Sequence, residues 1–223
     1  MIRAEPLIDW DRIPDQTDVI LAKLAEHIQL TLISVAIGVA ISVPLGIYCY
    51  RRRWAYGPTV AVTGIMYTIP SIALFAALIP FTGLALPTAI IPLVSYTLLI
   101  LIRNTVAGLQ GVPEDARESA LGMGYSRRQL LWKVELPLAL PVLMAGVRLA
   151  TVTTIGLVTV ASLIGHGGLG FFILRGFRQF DPTLSFIGGT LSLVLAVVVD
   201  FALVRIERLT TPWARGQEIS AVG

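Results

Sequence analysis

The sequence predicts an all-α membrane protein, a polytopic helical bundle of about five transmembrane helices carrying one charged insert. Three observations lead there. The 223 residues are 55% hydrophobic and only 14% charged, with a mean hydropathy of +0.79, which is too apolar for a water-soluble domain of this length. Runs without Asp, Glu, Lys or Arg exceed twenty residues, and at ~1.5 Å rise per residue that length covers a ~30 Å hydrocarbon core. These runs are apolar throughout instead of alternating over about ten residues, which excludes a membrane β-barrel.

The elements follow in chain order. Residues 1–27, opening MIRAEPLIDWDRIPDQTD, lack a basic region followed by an apolar core and cleavage site, and are expected to form a polar extracytoplasmic lead-in. Ile28 to Tyr50 is the first span, stopped by Arg51, Arg52 and Arg53. Trp54 to Ile102 again carries no formal charge and is long enough for two spans. Thr82-Gly83-Leu84-Ala85-Leu86-Pro87 supplies the Gly and Pro of a turn that splits it into a helical hairpin. A fourth span runs from Leu138 to about Leu163 with Arg148 embedded, and a fifth from Leu184 to about Val204 with Asp200 near its end. The transmembrane domain thus covers 28–208, with the insert at 113–137 and a tail at 209–223.

Eleven Lys and Arg residues lie on the side that includes Arg51–Arg53, the insert and the tail, against five (Arg3, Arg12, Lys23, Arg175 and Arg178) on the other. The positive-inside rule places the insert and the C-terminus in the cytoplasm and the N-terminus outside. The formal net charge of +3 resides in these flanks and gives no reason to expect a nucleic acid partner. A single cysteine, Cys49, forbids an intrachain disulfide and leaves no thiolate or zinc cluster. No catalytic residue, metal site or cofactor is expected. The string Gly165-His166-Gly167-Gly168-Leu169-Gly170 fits G-x-G-x-x-G, but it follows a membrane helix on the outer side and reads as a flexible re-entrant or periplasmic turn. His166 has only His27 as a second histidine and no carboxylate cluster beside it, a poor basis for a metal site.

Within the insert, Pro113 suits a helix start, and Glu114 and Asp115 favour the positive end of its dipole, so a short helix is expected from about Pro113 to Leu121. Gly122 and Gly124 can supply the left-handed residue that ends it. Ser126 precedes Gln129 by three residues, a capping box for a second helix from Arg127 through Trp132 or Val134, and Leu136-Pro137 closes the insert. On physical grounds alone these are either amphipathic surface helices or a patch that hands force to a cytoplasmic partner.

The spacing Glu118-Ser119-Ala120, three residues, Gly124, nine residues, Val134, one residue, Leu136-Pro137 resembles the EAA loop of type I ABC importer permeases. Ser119 and Val134 depart from that pattern, conservatively in size. The resemblance implies a coupling helix docked in a cleft of an ABC ATPase subunit, with Glu118 in polar contact, Ala120 allowing close packing and Gly124 forming the corner. Arg127 and Arg128 would add contacts at the rim or meet lipid headgroups. ATP hydrolysis belongs to the partner, because this chain has no G-x-x-x-x-G-K-[ST] sequence.

A narrower likeness covers most of the chain from about His27 to Arg208. Tyr67 to Leu74, Arg103-Asn104-Thr105, Gly122-Met123-Gly124, Val134 to Pro141 and Ala161 to Gly165 are similar to permeases for glycine betaine, carnitine and choline. That likeness implies an osmoprotectant importer of a prokaryotic inner membrane. It also implies an extracytoplasmic solute-binding protein, a second permease, identical or paralogous, and a surrounding shell of membrane lipid. A permease for methionine or another amino acid would share the insert, and a non-ABC channel or scaffold would use it only as a surface patch.

Pathway residues are read from chemistry. Pro70 removes a backbone hydrogen bond at membrane depth, where Thr68 and Ser71 hydroxyls can compensate; the result is a packing kink or a bend at the gate. Tyr67 and Tyr96 are either cation-π contacts or packing aromatics. Arg148 would cost roughly 2.5–3.5 kcal/mol at the centre of a lipid-facing helix, so it pairs with Asp200, snorkels or touches solute. So few intramembrane charges, and no repeated half, argue against an ion-driven secondary transporter.

Overall fold

A computed structural model of the chain describes residue 8 and residues 16 to 214. Arg3, Arg12 and Arg215, together with most of the lead-in and tail, lie outside the described residues. Every regular element described is helical.

Helix α1 (Thr17–Arg51) begins well before the expected first span. Residues 17–27 of the lead-in are therefore helical, because a helix once nucleated continues through compatible polar residues. Lys23 and Glu26, one turn apart, pair at 2.7 Å there. Helices α2 (Arg53–Thr68) and α3 (Ser71–Thr82) together satisfy the length of one span and are bent by 93° at the break between them. Pro70 is thus not a kink inside one continuous helix. It caps α3 with φ −56° and ψ 132°, and its carbonyl accepts from the Leu74 N–H at 3.0 Å. Proline cannot donate a helical hydrogen bond and pushes the preceding residue out of the α region, so α2 ends before it.

The expected turn forms at Gly83, which ends α3 at φ +65°. There the Thr88 hydroxyl donates to the Gly83 carbonyl at 2.6 Å. Helix α4 (Leu86–Gln110) follows, then α5 (Glu114–Gly122) and α6 (Arg127–Leu130). The latter passes through a π-helical turn, Leu131–Glu135, into α7 (Leu136–Val160), which a 3-10 turn extends to Ile164. Helix α8 (Gly170–Gln179), which the sequence reading did not anticipate, precedes α9 (Pro182–Thr210). Asp181 starts α9 by accepting from the Thr183 and Leu184 N–H groups at 3.0 and 3.3 Å. Among the described residues four helices are individually long and apolar enough to cross a bilayer, and counting the bent pair as one span gives five.

The chain divides into two units. The first comprises Met1–Ala36, Thr68–Val94 and Thr151–Val199, and centres on Leu30, Phe75, Ala89, Leu93, Val158 and Ala161. Its glycine turn is tightly packed, in place of the flexible turn expected. A Cβ at Gly167 would strike the Ser162 backbone, and one at Gly168, which has φ +49°, would strike His27. The second unit comprises Ile37–Tyr67, Ser95–Ala150 and Asp200–Gly223, with Leu109, Val112, Leu131 and Ala139 packed beside the insert. Helices approach closely there through small residues: a Cβ at Gly46 would come within 2.7 Å of Thr105.

Candidate functional site

The insert is built from local rules. Pro113 occupies the N-cap of α5 with φ −57° and ψ 138°, and Glu114 and Asp115 fill the first turn. At the far end Gly124 takes φ +83° while Gly122 stays helical, so only one of the two expected glycines supplies the left-handed corner. The Tyr125 N–H returns to the Ala120 carbonyl at 3.1 Å. The capping box forms as expected: the Gln129 N–H donates to Ser126 Oγ at 3.3 Å, and the Ser126 N–H to Gln129 Oε1 at 2.8 Å.

The second helix does not stop at Trp132 or Val134, nor does Leu136-Pro137 close the insert. The helix continues through the π turn into the span, and the Leu136 N–H donates to the Leu131 carbonyl. A proline in a regular helix collides with the carbonyl four residues back, and the wider π turn relieves that clash for Pro137. Force applied at Arg127 therefore meets a continuous helical backbone.

The EAA-like residues separate by exposure. Glu118 and Ser119 are exposed, whereas Ala120 is 1% exposed and packs within its own chain. Gly124 is exposed with open space where a Cβ would stand. Val134, Leu136 and Pro137 are half-buried, Leu136 against the Leu109 cluster. Around the outward residues lie exposed Leu121, Met123 and Trp132, apolar groups that the sequence reading left without a role.

Sequence reasoning also missed Glu135, which is buried at 5% exposure. The Tyr50 hydroxyl donates to its Oε1 at 2.9 Å, and Arg117 Nε lies 3.2 Å from the same oxygen, in ion-pair range but without hydrogen-bond alignment. Arg117 further donates from Nη1 to Glu114 Oε2 at 2.8 Å and from Nη2 to the Leu109 carbonyl at 2.6 Å, and its guanidinium lies 5.9 Å from the Tyr50 ring centroid. Burial pushes Arg117 down, but the Glu114 hydrogen bond and the electrostatic pull of Tyr50 and Glu135 outweigh it, holding the guanidinium above its usual value and charged. The Glu114–Arg117 spacing of three was legible; the partner at 135 carries no local signature.

Among the pathway candidates, Tyr67 and Tyr96 meet edge to face with centroids 5.8 Å apart, Tyr67 being 38% and Tyr96 5% exposed. Thr68, Pro70 and Ser71 belong to the other unit, at the helix break. Arg148 pairs with Asp200 and, in addition, Nη1 donates to Glu207 Oε2 at 3.3 Å. Glu207 follows Asp200 by seven residues, two turns along the same helix face, a signal the sequence reading did not use. His27 proves to be fully buried: its Nε2 is 3.1 Å from the Ile155 carbonyl, and its Nδ1 accepts from the Leu169 N–H at 3.3 Å. Those partners select the neutral tautomer protonated at Nε2. Among the described residues no three His, Cys, Asp or Glu side chains gather as metal ligands.

Residues 42–211, which include this insert and the apolar helices around it, match the family described as binding-protein-dependent transport system inner membrane component. The chain belongs to that family. This inner membrane component is 40% identical over 193 residues to the choline transport system permease protein of Bacillus subtilis (strain 168), covering 86% of this chain and 89% of the relative. It is 37% identical over 193 residues, with the same coverages, to the glycine betaine/carnitine/choline transport system permease protein of that organism. Among solved structures, a chain of the MetNI methionine ABC transporter in an inward-facing conformation matches with a TM-score of 0.78 at 26% identity, covering 88% of this chain and 98% of that one. The permease is thus a multi-pass membrane subunit of a transport system with an ABC-importer fold.

Proposed function

We propose that this chain is the membrane subunit of an ATP-driven importer for quaternary-amine osmoprotectants of the glycine betaine, choline and carnitine type. The observation that carries the reading is the 40% identity, sustained over most of both chains, to a choline permease. The methionine transporter shares the fold at lower identity and supports an amino-acid solute less well.

In this reading the insert lies in the cytoplasm, the N-terminus lies outside, and α5 docks on an ABC ATPase. Exposed Glu118 and Ser119, with Leu121 and Met123 beside them, provide a mixed polar and apolar docking face. Exposed Met and Leu at the tip of a charged insert are costly in water and gain from being covered. An extracytoplasmic binding protein delivers the solute, and a second permease, identical or paralogous, completes the pathway within membrane lipid. ATP brings the two ATPases together, the docked inserts follow, and the spans open outward; hydrolysis resets them. Tyr67 offers a half-exposed aromatic ring to a passing quaternary ammonium, while Pro70, between Thr68 and Ser71, marks the bend at a gate.

The test is uptake of labelled glycine betaine, choline, carnitine and methionine into liposomes by the reconstituted complex, with and without ATP and with Gly124→Trp. ATP-dependent uptake of a quaternary amine that the substitution abolishes is expected. Uptake of methionine alone would refute the solute, and uptake indifferent to ATP or to Gly124→Trp would refute the coupling.

A further inference from the structure

We propose that Arg117 and Glu135 are positioning residues that lock the coupling helix to the membrane spans, so that motion of α5 becomes motion of α1, α4 and α7. The inference rests on the reading that α5 docks on an ATPase, and it concerns what happens after docking.

The backbone is a weak link at both ends of α5. It joins α4 through Gly111-Val112-Pro113 and α6 through the glycine corner at Gly124, segments with no continuous helical hydrogen bonding. A nine-residue helix held only by such joints would swivel under load. Arg117 supplies the missing cross-braces. From one side chain it holds the Leu109 carbonyl in the last turn of α4, the Glu135 carboxylate at the entry to α7, and the face of Tyr50 at the end of α1. Tyr50 closes the circuit by donating to Glu135.

Two features point to orientation as the purpose. First, the side chains of Arg117 and Glu135 are only 16% and 7% exposed, whereas Glu118, the next residue, is exposed. The brace therefore faces the body while the docking face looks outward, and one can be altered without touching the other. Burying such a pair adds little net stability compared with apolar packing, but it specifies geometry. Second, Glu135 sits at the end of the π turn. Each residue of a helix advances the side chain by about 100°, so the extra residue of a π turn sets which way Glu135 points. A local irregularity near the start of the continuous helix Arg127–Ile164 thus aims the buried Glu135 carboxylate at Arg117.

The experiment uses the complete complex of permease, ATPase and binding protein in liposomes, comparing wild type with Glu135→Gln, the conservative Glu135→Asp, and the apolar pair Arg117→Met/Glu135→Leu. ATPase co-purification, ATP hydrolysis, solute uptake and thermal midpoint are measured on each. In Glu135→Gln the ATPase stays bound and hydrolysis continues, while solute carried per ATP falls by about tenfold or more; Glu135→Asp recovers part of it. The apolar pair melts near wild type yet stays uncoupled, which separates positioning from stability. An unchanged transport ratio in both Glu135→Gln and the apolar pair would overturn the proposal. So would loss of ATPase binding in a correctly folded apolar pair, since the brace would then be building the docking face. Failure of the functional reading looks different, because the wild-type complex itself would show no ATP-dependent uptake.

Discussion

Arg148 and Asp200, 52 residues apart in sequence and on different apolar helices, pair through two bonds: Nε to Oδ1 at 2.9 Å and Nη2 to Oδ2 at 3.2 Å. The fork-to-carboxylate geometry is the one in which arginine outperforms lysine. With Glu207 at the remaining nitrogen, one cation faces two carboxylates. Arg148→Met should then leave two acids uncompensated. The pair is about one-third exposed, so the expected loss is about 1–3 kcal/mol, below that of a fully buried pair. Thermal melting of the purified permease checks it. Arg148→Lys should lie between wild type and Arg148→Met, and a solute-contact role would appear as lost uptake in an Asp200→Asn variant that still melts normally.

Gly124 holds φ +83° with nothing within 4 Å of a Cβ position, so substitution there meets backbone strain and no steric wall. Gly124→Ala should cost about 1–2 kcal/mol, and Gly124→Asn less, because asparagine visits the left-handed region more readily. The strain falls on the corner between α5 and α6. The affinity of ATPase for permease in detergent should follow the order Gly, Asn, Ala.

Ala120 and Glu118 lie two residues apart and should fail differently. Ala120→Leu overpacks a site 1% exposed and should lower stability by about 1–3 kcal/mol. Glu118→Gln, on the exposed side, should leave the melting curve unchanged and weaken ATPase binding. Paired melting and pull-down measurements separate them; a Glu118 variant that melts early would contradict the outward placement.

His27 bridges the Ile155 carbonyl and the Leu169 N–H. His27→Ala strands the buried Leu169 N–H, while the Ile155 carbonyl keeps its place in the helical ladder of α7, and should cost about 1–3 kcal/mol. Because Gly168 packs against His27, protease cleavage in the Gly165–Gly170 turn should rise in the variant, and unchanged cleavage would show that other contacts hold the turn.

Much of the fold was legible because its causes are local. The Gly83 turn, the Pro113 start, the Gly124 corner and the Ser126 capping box each depend on a few adjacent residues. The Glu118 to Pro137 spacing was legible as a pattern, but not which of its members faces inward: exposure at 118 and burial at 120 follow from how α5 packs on the rest of the chain. Helix α8 escaped because its ten residues combine Arg, Phe and Gly without the unbroken apolar run that marks a span. The uninterrupted path from α6 into α7 escaped because Leu136-Pro137 looks like a helix stop until a π turn makes room for the ring.

The sequence by itself determined the solvent, the approximate number of spans and the presence of a capped polar insert, because transfer free energy, helix length and capping are properties of contiguous residues. Only the tertiary structure decided that Glu135 meets Tyr50 and Arg117, that Arg148 gains Glu207 as a second acid, and that His27 ties Ile155 to Leu169. Those partners lie 18 to 142 positions apart. Burying a polar group in an apolar interior is costly without a partner, and which partner it finds depends on how the helices pack.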